Sequence, residues 1–362
     1  MFSRQLARAA TTAATPRTAV RMFSSSSVAA KNKTPSLADI VPDTDEVESF
    51  NGKQKTFREQ LVAAQKERDA SGFHSSPTPD TGDDAVGRAE GLGSLSTVHN
   101  SERVAEISSK EPPRNIGPLT NLIYGTKEGR ELDAQLEASF SQVVARGKYV
   151  HAIVIHDVHP DKVDEYTELV GQWYPRVAQL PDNKVNLVGS WRTEVGDVDT
   201  FVHIWEYQRY SGFHSSFHAI SQRPGFDEFE RKLRTLIKSK KTSLMQEFSF
   251  WPTTPPRQLG GIFELRSYTL GPGKLLEWEQ HWRKGLKARR EVMEGVGAWF
   301  VQVGELNTVH HLWQFANLEE RQIRREQSWR QPGWAETVHK TVPLIQDMKS
   351  RILIPMPWSP VG

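Results

Sequence analysis

Glu264, Arg266 and Tyr268 alternate along one short segment, and alternate residues of a β-strand share a face. A carboxylate beside a guanidinium in a half-buried pocket would have one pKa strongly shifted, as acid–base chemistry requires. The competing reading is a structural ion pair at an interface, because buried charges need partners whatever their function. His310 and His311 are adjacent, so on a strand they point to opposite faces and cannot share one metal ion. His311 recurs as His203 in an earlier, similar segment, and the two could meet across a pseudo-dyad. A lone histidine lacks the clustered ligands of a metal site, so a satisfied core histidine competes with that idea. Trp278, Trp282 and Trp299 could stack on a planar ligand, although the first two stand four apart and suit a helix core. Arg321, Arg324, Arg325 and Arg330 could meet acidic lipid or a carboxylate. Glu319, Glu320 and Glu326 are interleaved with them, which reads as a solvated mixed-charge helix.

Several chemistries are excluded. The 362 residues contain no cysteine, which removes disulfides, thiolate metal sites and a cysteine nucleophile. No His-Glu-x-x-His and no nucleophile elbow occurs, and Gly91-Leu92-Gly93-Ser94 lacks the strand and the Lys-Ser/Thr of a phosphate loop. With 46 basic and 44 acidic residues the net charge is +2, so no nucleic-acid partner is expected. No apolar run is long enough to span a bilayer. The residues call for no metal and no cofactor.

The elements that must position these residues come as a repeat. His203-Ile204-Trp205-Glu206-Tyr207 lines up with His311-Leu312-Trp313-Gln314-Phe315, and Arg223-Pro224-Gly225-Phe226 with Gln331-Pro332-Gly333-Trp334, both at an offset of 108. His159-Pro160-Asp161-Lys162 matches Gly271-Pro272-Gly273-Lys274 at 112. A period of one small domain, present twice, is a duplicated domain. Periodicity predicts strand 149–157, helix 161–179, strands 184–192 and 200–207, helix 226–239 and strand 244–251. The second unit follows with 261–270, 274–292, 298–304, 309–315, 334–349 and 352–357. This βαββαβ order is the ferredoxin-like unit, with helices on one sheet face only. Two bare faces can be laid together and curved into a barrel. The aromatic rows Phe201/His203/Trp205/Tyr207 and Val309/His311/Trp313/Phe315 would supply apolar cover, with any ligand pocket between the two sheets. The expected fold is therefore α+β, two tandem repeats (148–257 and 258–362) forming a pseudo-dimeric barrel. The candidate pocket is His203, Trp205, Glu264, Arg266, Tyr268, His311 and Trp313.

The first third reads differently. All 11 tryptophans lie between Trp173 and Trp358, and no acidic residue precedes Asp39. Arg4, Arg8, Arg17 and Arg21 sit among serines, threonines and alanines, the composition of a mitochondrial transit peptide, with a cut expected near Phe23/Ser24. Residues 24–118 are polar and predict a disordered linker, with a weak solvated helix over 56–68. Leu132, Leu136, Phe140, Val143 and Val144 make one stripe, so a lead-in helix is expected within 119–147.

Leu187-Val188-Gly189-Ser190-Trp191, Glu247-Phe248-Ser249-Phe250-Trp251, Glu264-Leu265-Arg266-Ser267-Tyr268, Val309-His310-His311-Leu312-Trp313 and Arg351-Ile352-Leu353-Ile354-Pro355 together resemble the NIPSNAP family. The resemblance covers about residues 120–362, both repeats in order. It implies a dimeric α+β barrel made intramolecular by duplication, and a mitochondrial, mostly matrix-associated protein. It also implies links to vesicle transport and, in animals, to recruiting autophagy machinery on damaged mitochondria. It brings no established enzyme activity. Two readings stay open. The first is a non-catalytic scaffold or sensor that binds partner proteins, with peripheral membrane association and homo-oligomerisation undecided. The second is a small-molecule or haem-binding barrel, oxygenase-like, using the pocket between the repeats. Side chains filling that space would favour the first.

Overall fold

Every residue of the segment Thr200–Tyr207 is buried, so its sheet is covered on both faces. The computed structural model shows how, describing residues 34–40, 44–70, 149–179 and 185–362. Helix α1 (Thr44–Ala70) precedes the two repeats. The first repeat runs β1 (Tyr149–Val158), α2 (Val163–Ala178), β2 (Val185–Val195), β3 (Thr200–Gln208), α3 (Arg209–Ser221), α4 (Phe226–Leu236) and β4 (Ile237–Glu247). The second runs β5 (Ile262–Leu270), α5 (Leu275–Val292), β6 (Glu294–Val303), β7 (Thr308–Phe315), α6 (Leu318–Trp329), α7 (Trp334–Thr341) and β8 (Ile345–Pro355).

The eight strands close into one barrel in the order β1-β3-β2-β8-β5-β7-β6-β4. Each repeat keeps the ferredoxin-like sheet order, and two antiparallel seams join them. In one, Thr193 of β2 faces Leu353 of β8; in the other, Met245 of β4 faces Val301 of β6. The expected pseudo-dimeric α+β barrel is thus what the chain forms, with one additional helix, α3 or α6, in each repeat.

Strand alternation sorts the side chains into three layers. Ile153, Trp191, Ile204, Phe263, Leu265, Trp299 and Leu312 belong to one cluster that fills the barrel and draws on both repeats. Tyr166, Val170, Phe201, Trp205 and Phe229 form a second cluster under the first repeat's helices. Tyr268, Trp278, Trp282, Trp313 and Trp334 form a third under the second repeat's helices. Burying such a side chain contributes roughly 1.5–3 kcal/mol. The aromatic rows on β3 and β7 therefore face the helices, and the expectation that they fill the space between the sheets is corrected. Val202, Ile204 and Leu312 on the alternate positions do that filling, together with Trp191, Phe263 and Trp299 from neighbouring strands.

Two details of the repeat are steric. Gly189 and Gly297 stand two residues before Trp191 and Trp299, at β-bulges, and each indole folds back over its glycine. A Cβ on Gly297 would lie 2.5 Å from Trp299 Cζ2, and one on Gly189 would lie 2.3 Å from Trp191 Cη2. The turns before α4 and α7 are type II. In the first, the Phe226 amide donates to the Arg223 carbonyl and Gly225 takes φ 88°, which only glycine adopts freely.

Each repeat's C-terminal tail crosses to the other repeat. Phe248, Phe250 and Trp251, after β4, pack in the second repeat's helix layer. Met356 and Trp358, after β8, pack in the first repeat's layer, where Trp358 lies over Gly171.

Three sequence expectations are corrected. The helices predicted over 226–239 and 334–349 end at Leu236 and Thr341, and β4 and β8 begin at Ile237 and Ile345. Their first halves are polar and exposed, with no period of two, yet β1 and β5 pair with them, across one register shift each at Lys238 and Gln346. The sequence reading contains no α3, whose Ser-Gly-rich stretch has poor helix propensity. Phe213 and Ile220 anchor it to the first repeat's core. Finally, residues 34–40 and α1, inside the supposed linker, are held on the barrel. Phe50 packs with Leu259 and Ala316, and Leu37 and Ile40 pack on the second repeat's core. Arg58 and Gln54 both donate to Glu294 Oε2, at 2.6 Å and 2.8 Å, and Arg257 pairs with the other oxygen. α1 docks through Val47, Phe50 and Phe57 together with the polar Asn51, Gln54 and Arg58. The supposed transit peptide (1–23) and lead-in helix (119–147) lie outside the described residues.

Candidate functional site

β5 turns Glu264, Arg266 and Tyr268 toward the helices, because Phe263, Leu265 and Ser267 occupy the barrel-facing positions. Glu264 is fully buried. Its Oε1 accepts from Arg266 Nη1, Arg321 Nη2 and Ser350 Oγ, each at 2.7 Å. Its Oε2 accepts from Arg321 Nε at 2.9 Å, and Arg325 Nη1 stands 3.7 Å away. Arg266 also donates to the Tyr268 hydroxyl at 2.7 Å. Burial pushes the Glu264 carboxyl up, but the hydrogen bond from Arg321 and the charges of Arg266, Arg321 and Arg325 override it and hold it far below the usual carboxylate range.

A fourth arginine completes the group. Arg289 of α5 lies with its guanidinium 4.1 Å from the Trp334 ring centroid. Burial, then the charge of Arg325, lowers its proton affinity. Arg289 Nε and Arg325 Nη1 are buried without a hydrogen-bond partner. Three guanidiniums thus surround one carboxylate that already accepts four hydrogen bonds, and Arg289, whose Nη1 donates to Met293 Sδ at 3.0 Å, adds a fourth charge to the group.

His311 stands beside Arg266 on the neighbouring strand. Its Nδ1 accepts from Trp313 Nε1 at 2.8 Å, so the neutral ring carries its proton on Nε2, which is buried and unpaired. Burial first, then Arg266, keeps this histidine neutral. His310 points the other way, into the barrel, and bonds to Ser267 Oγ at 2.8 Å.

The first repeat treats the same layer differently. His156 Nδ1, the Tyr166 hydroxyl, His203 Nε2, His203 Nδ1 and Ser190 Oγ form a fully buried chain with links of 2.6, 2.8 and 2.9 Å. Burial lowers the His203 pKa to about 3. Trp205 meets the ring of Tyr174 edge-on at 5.0 Å.

The structure therefore divides the candidate pocket. Glu264, Arg266, Tyr268, His311 and Trp313 share the second repeat's helix-facing layer, while His203 and Trp205 share the first's. His203 and His311 belong to separate layers and do not meet across the pseudo-dyad. The ion pair of Glu264 and Arg266 lies under α5 and α6 rather than at the repeat interface. Space between the sheets, where the pocket was expected, is filled by side chains. Arg289 and Ser350 were missed. Arg321 and Arg325 were read as solvated, although their spacing of four on a helix, in register with Ser328, places them on one side. Arg324, between them, pairs instead with Glu320 at 3.1 Å.

A second polar group at one end of the barrel interior was also missed. His151 Nε2 lies 3.2 Å from both Glu206 Oε2 and Thr253 Oγ1, and Thr253 bonds to Glu247 at 2.8 Å and to Trp299 Nε1 at 3.1 Å. Burial raises the pKa of Glu247. Among the described residues, no group of three or more histidines and carboxylates is placed to hold a metal ion. No described helix is long and apolar enough to cross a membrane.

Comparison with known proteins gives a consistent result. The NIPSNAP family model matches residues 152–252 and 263–360, one match on each repeat. The chain is 38% identical over 213 residues to Protein NipSnap homolog 1 of Danio rerio, covering 59% of this chain and 76% of that one. It is 36% identical to Protein NipSnap homolog 2 of Homo sapiens, covering 59% and 74%. Among solved structures, a putative monooxygenase from Lactobacillus acidophilus aligns at TM-score 0.45 and 13% identity, over 57% of this chain and 94% of that chain. A NIPSNAP family protein of unknown function from Agrobacterium tumefaciens aligns at TM-score 0.28 and 25% identity, over 30% and 99%. Neither structural likeness bears on chemistry.

Proposed function

The chain belongs to the NIPSNAP family, and from that premise we infer that it acts as a non-catalytic scaffold or sensor binding partner proteins in the mitochondrion. One observation carries this reading: both repeats fill the barrel interior with packed side chains, Trp191, Phe263 and Trp299 among them. A barrel packed to that degree offers its outer surface for binding, not a chamber for a reaction. The competing idea of a haem or hydrophobic ligand between the sheets would require this core to be displaced.

The basic, acid-poor residues 1–23 support import into the matrix. Roles in mitochondrial quality control or vesicle-related transport belong to the same proposal, as does any association with a membrane surface.

Native mass spectrometry of the protein purified from mitochondria tests the reading. The expected spectrum shows the chain, alone or as an oligomer, with protein partners and no stoichiometric organic cofactor. A retained haem or other cofactor mass overturns it. Import is tested separately: a chain lacking residues 1–23 is expected to stay in the cytosol, and continued matrix residence refutes the address.

A further inference from the structure

We propose that Arg266, Arg289, Arg321 and Arg325 form a binding site for a small oxyanion, a carboxylate or phosphate group, on the helix-covered side of the second repeat's sheet. This does not depend on the scaffold reading.

The first repeat serves as an internal control. At the repeat offsets, the positions of Glu264, Arg266, Arg289, Arg321 and Arg325 are taken by Ala152, Val154, Val177, Phe213 and Phe217. Ala152 and Val177 are buried there, Val154 and Phe213 pack on the same core, and Phe213 stacks near Phe217. The fold therefore builds this layer without any charge. Placing four guanidiniums there has a desolvation and repulsion cost that packing does not require.

Glu264 cannot balance them. Its two oxygens already accept from Arg266, Arg321 and Ser350, and one negative charge faces four positive ones. Arg325 Nη1 and Arg289 Nε are left without acceptors. An oxyanion supplies what is missing: negative charge and several acceptor lone pairs for forked guanidinium donors. The cluster reaches the surface at its rim, where the side chains of Arg266, Arg321 and Arg325 are 16%, 24% and 27% exposed, while Glu264 forms the buried floor and Arg325 Nη1 and Arg289 Nε lie just beneath. Glu264 holds Arg266 and Arg321 in place and is a positioning residue.

The test titrates the full-length chain with inorganic phosphate and, separately, with malonate, at ionic strength held constant with potassium chloride. Thermal unfolding and calorimetry are both read. The expected result is a saturable rise in Tm with at least one anion; phosphate alone or malonate alone assigns the preferred group. Arg325→Gln is expected to weaken that binding by about tenfold or more. Arg325→Lys, which keeps the charge but loses the fork, should fall between. Arg330→Gln removes the same charge from an exposed neighbouring position and should bind as the parent does. No saturable effect beyond that of chloride overturns the proposal. So does equal weakening by Arg325→Gln and Arg330→Gln, which would mean bulk charge rather than a site.

Discussion

Arg321 grips both carboxylate oxygens of Glu264, through Nε at 2.9 Å and Nη2 at 2.7 Å, and so ties α6 to the middle of β5. A forked contact to a buried carboxylate is stronger than an exposed surface pair such as Lys340 with Glu336. Glu264→Gln should cost about 3 kcal/mol, since it leaves several buried guanidiniums without their counter-charge. The pH dependence has a definite sign. The carboxyl is held below its unfolded value, so its contribution is complete above the ordinary glutamate pKa and is lost as pH falls below it. Chemical denaturation of the parent and Glu264→Gln at neutral and acidic pH checks this; the difference between them should shrink in acid.

His203 gives the acid limb a second origin at higher pH. Its pKa is lowered to about 3 by burial, while the unfolded chain protonates near pH 6.5. The stability it confers is whole above that pH and declines as pH falls toward about 3, by at most ~1.4 kcal/mol per pH unit. Tyr166→Phe breaks two links of the buried chain and should cost about 1–3 kcal/mol at neutral pH. A denaturation series from pH 7 to mild acid, with His203→Asn alongside, tests the slope; an unchanged slope in His203→Asn would contradict the assignment.

Gly297→Ala should destabilise by about 1–3 kcal/mol or prevent folding, because the added Cβ meets the Trp299 indole at 2.5 Å. Gly52→Ala, in α1, has nothing within 4 Å and should be neutral or stabilising by up to ~1 kcal/mol. Urea midpoints of the two variants separate a steric requirement from a general effect of glycine.

The crossed tails predict coupling between repeats. Trp251→Ala empties a fully buried site in the second repeat's layer and should cost roughly 3–5 kcal/mol. Truncation after Pro355 removes Met356 and Trp358 from the first repeat's layer. Hydrogen exchange should then accelerate in α2 of the first repeat, although the cut lies in the second. Acceleration confined to the second repeat would contradict the crossing.

Docking of α1 should depend on charge. Glu294 receives Gln54 and Arg58 from α1 and Arg257 from the barrel. Glu294→Gln is expected to free α1 for proteolysis within its length and to cost about 3 kcal/mol overall, since Arg257 stays buried without its partner. Protection equal to the parent's would refute that anchor.

The sequence by itself determined the duplication, the βαββαβ order of each repeat apart from α3, and the closed barrel. Apolar spacing and turn chemistry are local: Pro224-Gly225 and Pro332-Gly333 dictate their turns, and the period of two sorts each strand's residues onto two faces. It also placed Glu264, Arg266 and Tyr268 on one face. Which face was beyond it, because each row of β3 and β7 mixes apolar and polar residues, His203 and His311 in one and Glu206, His310 and Gln314 in the other, and the period of two is the same whichever row turns inward. Only the tertiary structure decided that the aromatic rows meet the helices. Long-range pairing also decided that Arg321 and Arg325 turn inward, since only the fold brings their acceptor, 57 residues away from Arg321, within reach. The same holds for the polar starts of β4 and β8 and for α1, whose positions depend on partners that no window of sequence contains.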